Sequence, residues 1–209
     1  MTLPEMKWHW EQVYSTKASD AVSWYQPHAS VSLSLIRETG IDLDAPIIDV
    51  GGGASTLVDD LLDLGYRALS VLDLSGAALA AAASRLGTRG DGVRWLEADI
   101  TRTTFPEASI ELWHDRAVFH FLNEADDRAA YVRTLSQAVK PGGHLIIGTF
   151  AENGPEKCSG LPVQRYSAQG LYSQLSAEFE LVKTTTEAHQ TPSGSIQAFV
   201  YCWCRRRVA

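Results

Sequence analysis

The segment Pro46-Ile47-Ile48-Asp49-Val50-Gly51-Gly52-Gly53-Ala54-Ser55 decides how this chain reads. A short apolar run enters three successive glycines, and the stretch ASTLVDDLLDLGY follows, with Leu57, Leu61, Leu62 and Leu64 at helical spacing and Gly65 as a stop. This is a buried strand turning through glycines into a helix. Glycine permits the tight turn and lets a ligand approach the backbone, at the carboxyl end of a strand where open α/β sheets bind their ligands. The same turn also serves a fold that binds nothing, so function has to be read from what surrounds it.

Outward from this segment the chain alternates. ALSVLDL, VRWLEAD, IELWHD and GHLIIGTF read as further strands, with helices from about Gly76 to Leu86 and over DRAAYVRTLSQAV, where Asp126 or Asp127 lies near the start. Near-continuous apolar strands suit a sheet covered on both faces, so the core is predicted to be a doubly wound α/β sheet. A polar loop, AENGPEKCSGLPVQRYS, and a helix near Ala168 to Leu175 lead to FELVKTTTEAHQ and SIQAFVYCWCRR, separated by the turn TPSG. Strands joined that closely form an antiparallel hairpin. Before Pro46 the chain is aromatic and polar, with Trp8, Trp10, Tyr14, Trp24 and Tyr25 in two helix-like stretches divided by KASD. The expected organisation is a single domain over 1–209, with a helical N-terminal part at 1–45 and an α/β core at 46–209.

Of the 209 residues, 18 are basic and 25 acidic, a net charge of -7 that would repel a phosphate backbone, so no nucleic-acid partner is expected. The basic run Arg205 to Arg207 reads as a solvated tail. Cys158, Cys202 and Cys204 are too few for a disulfide framework and lack zinc-ligand spacing, so no metal site is expected. Cys202 and Cys204 share one face of a strand and read as a buried apolar pair. No apolar run approaches the roughly 18 to 20 residues that cross a bilayer. The start, MTLPEMKWHWEQ, lacks the basic and apolar regions of a signal peptide, and a cytoplasmic protein is expected.

Asp73 ends the second strand, where a carboxylate accepts hydrogen bonds from both hydroxyls of a ribose, and Asp99 ends the third, within reach of an exocyclic adenine amine. With Asp49 they put three acidic residues at the tips of three consecutive strands beside a glycine loop, a pattern that describes a nucleoside pocket. The dinucleotide fingerprint fails because Thr56 stands where its last glycine would be, and no Walker lysine follows the loop. Asp49 also disfavours a pyrophosphate and suits a ligand with a cationic end.

At these motifs the chain resembles the class I S-adenosylmethionine-dependent methyltransferases, from Pro46 to Arg206: IIDVGGGAS, VLDLS, EADI, IELWHDRAVFHFL, VKPGGHLIIGTF and the C-terminal hairpin. GGGAS departs from the commoner GxGxG by placing Ser55 at the last glycine. The resemblance implies a three-layer α/β sandwich around a seven-stranded, mostly parallel, Rossmann-like sheet, with S-adenosyl-L-methionine as cofactor and S-adenosyl-L-homocysteine as product. It implies that Asp49 and Gly51, Gly52 and Gly53 lie against the methionine portion, that Asp73 binds the ribose, and that Leu74 and Ile100 pack on the two faces of adenine. Asp99 would bind the adenine amine, and Asp115 would face the methionine end and the substrate.

Attack on a sulfonium methyl is an in-line displacement in which the enzyme chiefly aligns the partners. Where the nucleophile needs its proton removed, the candidate bases are His120, which lies beyond the fourth strand, then Asp115 and His114, with His189 a weaker candidate. Trp24 and Tyr25 are candidates for a lid that excludes water and encloses the sulfonium by cation–π contact, and residues 1–45 for the lid as a whole. The loop CSGLPVQRYS is the expected second wall of a substrate pocket. Arg116 and Arg165 are candidates for an anionic substrate group or for structural salt bridges. The expected acceptor is a small molecule offering sulfur, selenium, nitrogen or oxygen, with soft nucleophiles favoured because no strong base motif is visible. Two alternatives stand beside it. One is a protein lysine methyltransferase, although HDRA occupies the place of an amide-gripping NPP[YF] motif; the other is a non-catalytic nucleoside-binding module.

Overall fold

The computed structural model describes residues 3–208. Two helices, α1 (Leu3–Thr16) and α2 (Ser30–Thr39), precede the first strand, β1 (Ile47–Val50). The chain then alternates through α3 (Leu57–Asp63), β2 (Leu69–Asp73), α4 (Gly76–Leu86), β3 (Arg94–Glu97), β4 (Ile110–Arg116), α5 (Ala125–Ala138) and β5 (Val139–Phe150). A small two-stranded excursion, β6 (Lys157–Cys158) and β7 (Leu161–Pro162), and a short helix, α6 (Ala168–Ser173), lead to the long hairpin of β8 (Phe179–Gln190) and β9 (Ile196–Arg206). The seven-stranded sheet runs β3-β2-β1-β4-β5-β9-β8. Its first five members pair in parallel, and β9 pairs antiparallel with both β5 and β8.

The period-two alternation of the strands divides the core into two layers. Ile48, Val50, Trp113, Leu145, Ile147, Cys202 and Cys204 pack with Tyr131 and Leu135 of α5 and Leu171 of α6. Their neighbours Ile47, Leu112, Ile146 and Tyr201 pack on the other face with Leu35 and Ile36 of α2, Leu57 and Leu61 of α3, and Leu79 and Leu86 of α4. This is the expected three-layer α/β sandwich, and the two cysteines are fully buried in it. The α4 boundaries follow from local chemistry. The Ser75 hydroxyl accepts from the Ala78 amide at 3.1 Å as an N-cap, an alanine-rich body follows, and Gly87 at φ +55 ends the helix.

Several expectations need correction. Trp24 and Tyr25 are not helical: the chain from Lys17 to Ala29 runs in turns, because Pro27 biases the residue before it away from helix and α2 starts only at Ser30. Leu64, taken as part of the apolar stripe of α3, lies past the last helical residue and is exposed. β3 stops at Glu97, so Asp99 stands two residues past the strand in a turn held by its own side chain. The β6–β7 excursion carries no sequence periodicity long enough to announce it. Among the described residues no helix is long and apolar enough to cross a membrane.

Candidate active site

The glycine loop after β1 is held down by its backbone. The amides of Gly51 and Gly52 donate to the Leu72 carbonyl at 2.7 and 3.2 Å, and Gly51 and Gly53 take φ of +68° and +42°, values open to glycine at little cost. At Gly51 a Cβ would fall 1.9 Å from Val118 Cγ2; at Gly52 it would fall 2.5 Å from Asp49 Oδ2. The loop therefore brings backbone into direct contact with the residues that follow β4 and with the Asp49 carboxylate.

Two chambers open over the strand tips. The first has Leu72, Asp73 and Leu74 from the end of β2 and Ala98, Asp99 and Ile100 beyond β3 on one side, with Met6, Trp10 and Tyr14 of α1 above and Val118, Phe121 and Cys158 on the far side. The second is bordered by Asp49, Gly52, Ser55, His114 and Tyr25. Gly51, Tyr14, Trp24 and Arg116 border both, so the chambers meet at the glycine loop.

In the first chamber Asp73 Oδ1 accepts from the Ser75 amide at 2.8 Å, and Oδ2 lies beside Gly53. Burial pushes this carboxyl up to about 7; the Ser75 amide opposes the shift, and the nearby Asp49 and Glu11 carboxylates reinforce it. Asp99 Oδ1 accepts from the amide and hydroxyl of Thr101 at 2.9 and 2.8 Å, and Arg102 lies 3.5 Å from Oδ2. Tyr14 accepts from the Trp24 indole N–H at 3.2 Å, and the two rings meet edge to face. Trp10 joins this pair to Phe121, with centroids 5.6 Å from Trp24 and 5.3 Å from Phe121.

In the second chamber Asp49 Oδ1 pairs with His114 Nδ1 at 2.7 Å, and His114 Nε2 lies 2.8 Å from the Ser32 hydroxyl; all three residues are buried. Strand alternation explains the arrangement. Asp49 and His114 are register partners on neighbouring strands, so they share the sheet face that α2 covers. Asp115, the next residue, points to the opposite face. There it accepts from Tyr131 Oη at 2.6 Å and from the amides of Val118 and Phe119 at 2.9 and 3.2 Å, and burial pushes it up to about 6. Asp115 therefore anchors the turn after β4 from within the core and borders neither chamber.

His120, like Asp115, is not brought to the chambers. Its ring is fully buried against Phe121 and Phe150, Nδ1 accepts from the Phe150 amide at 3.3 Å, Nε2 has no partner, and burial pushes the imidazole down to about 3. A group that stays neutral and faces away from the ligand space accepts no substrate proton. We expect His120→Phe to keep methyl transfer within about threefold of wild type. A loss of turnover of a hundredfold or more, with cofactor affinity intact, would return this imidazole to the reacting atoms. His189 is likewise engaged, donating from Nε2 to the Ser23 carbonyl at 2.7 Å.

The two arginines resolve toward structure. Arg116 donates to Tyr201 Oη at 2.9 Å, to the Trp24 carbonyl at 3.3 Å and to Glu187 at 3.4 Å, and it stacks 4.2 Å over the Phe199 ring. It borders the chamber junction with each of its three nitrogens holding one protein partner. Arg165 donates to the Gly154 carbonyl and to Glu156, both at 3.2 Å, away from both chambers.

Some site residues were not foreseen. Met6, Trp10 and Tyr14 are spaced four apart, which places them on one face of α1, and that spacing was available as a signal. Glu11, which accepts from the Gly76 and Ala77 amides at the start of α4, and Ser32 are joined to their partners only by the fold and carry no local signal.

The methyltransferase domain family matches residues 48–147, the span that holds the glycine loop, both carboxylate-tipped strand ends and β4. That match covers just under half of the chain. Over 147 residues the chain is 25% identical to an eEF1A lysine and N-terminal methyltransferase of Danio rerio, a match covering 69% of this chain and 21% of that protein. The chain thus spans about a fifth of the length of the curated relatives it matches. A structure from work on the conversion of a disulfide bond into a thioacetal group during echinomycin biosynthesis superposes with a TM-score of 0.77 at 20% identity, covering 97% of this chain and 93% of that one. The Burkholderia thailandensis 1,6-didemethyltoxoflavin-N1-methyltransferase superposes with a TM-score of 0.70 at 18% identity, covering 100% of this chain and 92% of that one. At these identities the two structures establish the fold alone, and it is the expected one.

Proposed function

We propose that this chain transfers a methyl group from S-adenosyl-L-methionine to a small-molecule acceptor, leaving S-adenosyl-L-homocysteine. The observation that carries the reading is the pair of chambers meeting at Gly51, one bordered by Asp73 and Asp99 and the other by Asp49. The residues present fit such a cofactor: Gly51 and Gly52 border the chambers with backbone that carries no side chain, and the carboxylates suit a ribose, an adenine amine and an ammonium. When bound, the cofactor supplies an electrophilic methyl on a positively charged sulfur. Asp73 accepts from the ribose hydroxyls, Leu74 and Ile100 flank the adenine, and Asp99 takes its amine. Asp49 holds the methionine ammonium, while His114 and Ser32 fix the direction of its carboxylate. Gly51 to Gly53 let backbone lie against the ligand, and Trp24 and Tyr14 exclude water and present ring faces to positive charge.

Residues 1–45 act as a lid on the 46–209 core in this reading. α1 is tied to the core by Glu11 at the start of α4, by Lys7 at Glu97, and by His9 Nε2 at 3.2 Å from Ser159 Oγ next to β6. A roof latched at both sides favours an acceptor small enough to be enclosed. The 1,6-didemethyltoxoflavin and S-adenosylhomocysteine bound to the Burkholderia protein support the same reading. A protein acceptor is the second reading, favoured by the lysine and N-terminal methyltransferases among the relatives.

Radiolabelled methyl transfer to a small-molecule panel and to lysine-bearing peptides separates the two readings. Label is expected in the small molecules, and label in the peptides alone would reverse the order. Ser32→Ala, which leaves one His114 nitrogen unpaired, is expected to weaken S-adenosylhomocysteine binding by about 1 kcal/mol. An unchanged dissociation constant would remove this chain of contacts from the site.

A further inference from the structure

The far side of the first chamber differs in chemistry from the side that carries the carboxylates. It is made by Val118, Phe121 and Cys158 with Trp24, beyond the tip of β4, and Trp10 of the roof sits edge-on between the Trp24 and Phe121 rings. We infer that this wall receives a flat, uncharged heteroaromatic acceptor, methylated at an atom whose lone pair is already available, as in a ring thione. The inference rests on the methyltransferase reading above and names its substrate class.

Charge argues first. The cation bordering this space, Arg116, is held by Tyr201, Glu187 and the Trp24 carbonyl over the Phe199 ring. An anionic acceptor would meet a guanidinium whose charge Glu187 already balances, against the desolvation of its own charge. An ammonium would meet aromatic faces but no carboxylate on this wall, because Asp73 and Asp99 stand on the adenosine side and Asp49 borders the other chamber. Flat rings gain the most from edge and face contacts with three aromatic side chains.

Proton inventory argues second. Among the described residues of this wall and its roof, the titratable groups are Cys158, pushed by burial up to about 12, and Tyr14, pushed up by burial with its oxygen already accepting from Trp24. Both keep their protons at neutral pH. His114 has both nitrogens engaged on the far side of the junction, His120 faces Phe150, and His9 does not line the chamber and lies against Ser159. With Asp73 and Asp99 of the same chamber taken by the adenosine, no group of this wall is placed to take a proton from an incoming nucleophile.

A thione meets these conditions. Its sulfur lone pair forms the new bond to the methyl carbon as the carbon–sulfonium bond breaks, and that electron pair stays on the departing sulfur. The sulfonium charge is thereby neutralised and a positive charge appears on the acceptor ring. The ring N–H then gives its proton to water as the product leaves, so no side chain has to receive it.

The test uses the full chain with S-adenosylmethionine and four flat probes of similar size: quinoline thione, naphthol, naphthoate and naphthylmethylamine. Quinoline thione is expected to exceed each of the others at least about tenfold in kcat/KM. Phe121→Ala is expected to raise its KM about tenfold with S-adenosylhomocysteine affinity unchanged, and Phe121→Leu, which keeps most of the packing, to recover part of that loss. Equal or faster methylation of naphthol, naphthoate or the amine overturns the inference, as does the absence of both turnover and calorimetric heat with the thione on protein that binds S-adenosylhomocysteine. Failure to bind S-adenosylhomocysteine at all overturns the methyltransferase reading, and this inference with it.

Discussion

Replacing Gly51 with alanine is expected to lower the affinity for S-adenosylhomocysteine by about a hundredfold or more, which corresponds to roughly 2.7 kcal/mol. Two independent penalties combine. At φ +68° a side chain occupies the left-handed region, which costs about 1–2 kcal/mol for a residue with a Cβ. The new Cβ would also fall 1.9 Å from Val118 Cγ2, an overlap that the stiff β-branched side chain relieves only by moving, and overpacking of this kind costs about 1–3 kcal/mol. Val118 borders the first chamber and its amide is pinned by the buried Asp115 carboxylate. The strain therefore enters the ligand space rather than dissipating in solvent. Calorimetric titration alongside a thermal melt distinguishes this from general unfolding: the expected variant still melts cooperatively but binds poorly. Wild-type affinity would mean that the loop does not touch the ligand.

Asp73→Ala is expected to weaken cofactor binding by about 1–3 kcal/mol through loss of charge-assisted hydrogen bonds to the ribose. The wild-type carboxyl adds a pH signature that the variant lacks. Burial holds its pKa at about 7, with Asp49 and Glu11 adding to the shift. Because the folded value lies above the unfolded one near 3.8, this group contributes stability at low pH that is lost as pH rises through about 7. A ligand that presents two hydroxyl donors prefers the ionised form, so binding releases a proton and affinity falls as pH drops below that value. The wild type is expected to bind about tenfold more weakly at pH 5.5 than at pH 8, with heats that depend on buffer ionisation, and Asp73→Ala to show neither effect. A flat wild-type profile would place the ribose elsewhere.

The parts of this account that were legible in the sequence are those whose physics is local. The strand tips at Asp49 and Asp73, the helix from Gly76 to Leu86, and the β8–β9 hairpin follow from periodicity, helix-forming composition and a short turn. Asp115 and His120 show the limit. Both sit in the motif after β4, but strand alternation turns the Asp115 carboxylate toward Tyr131, and packing turns the His120 ring toward Phe150. Sequence proximity to the strand end could not reveal either direction. Trp24 reaches the chambers from a non-helical segment, where Pro27 outweighs the helix-like pattern around it. The Ser32–His114 and Glu11–α4 contacts join residues far apart in the chain, and only the closed fold brings them together.

The central claim is that the carboxylates at these strand tips hold an adenosine that carries a cationic sulfur. Isothermal titration of the purified chain with S-adenosylhomocysteine tests it most directly, with a nicotinamide dinucleotide as the contrast. Saturable one-site heat is expected with S-adenosylhomocysteine, strongly reduced in Asp73→Ala, and none with the dinucleotide. No heat with S-adenosylhomocysteine, or saturable heat with the dinucleotide in its place, would contradict it.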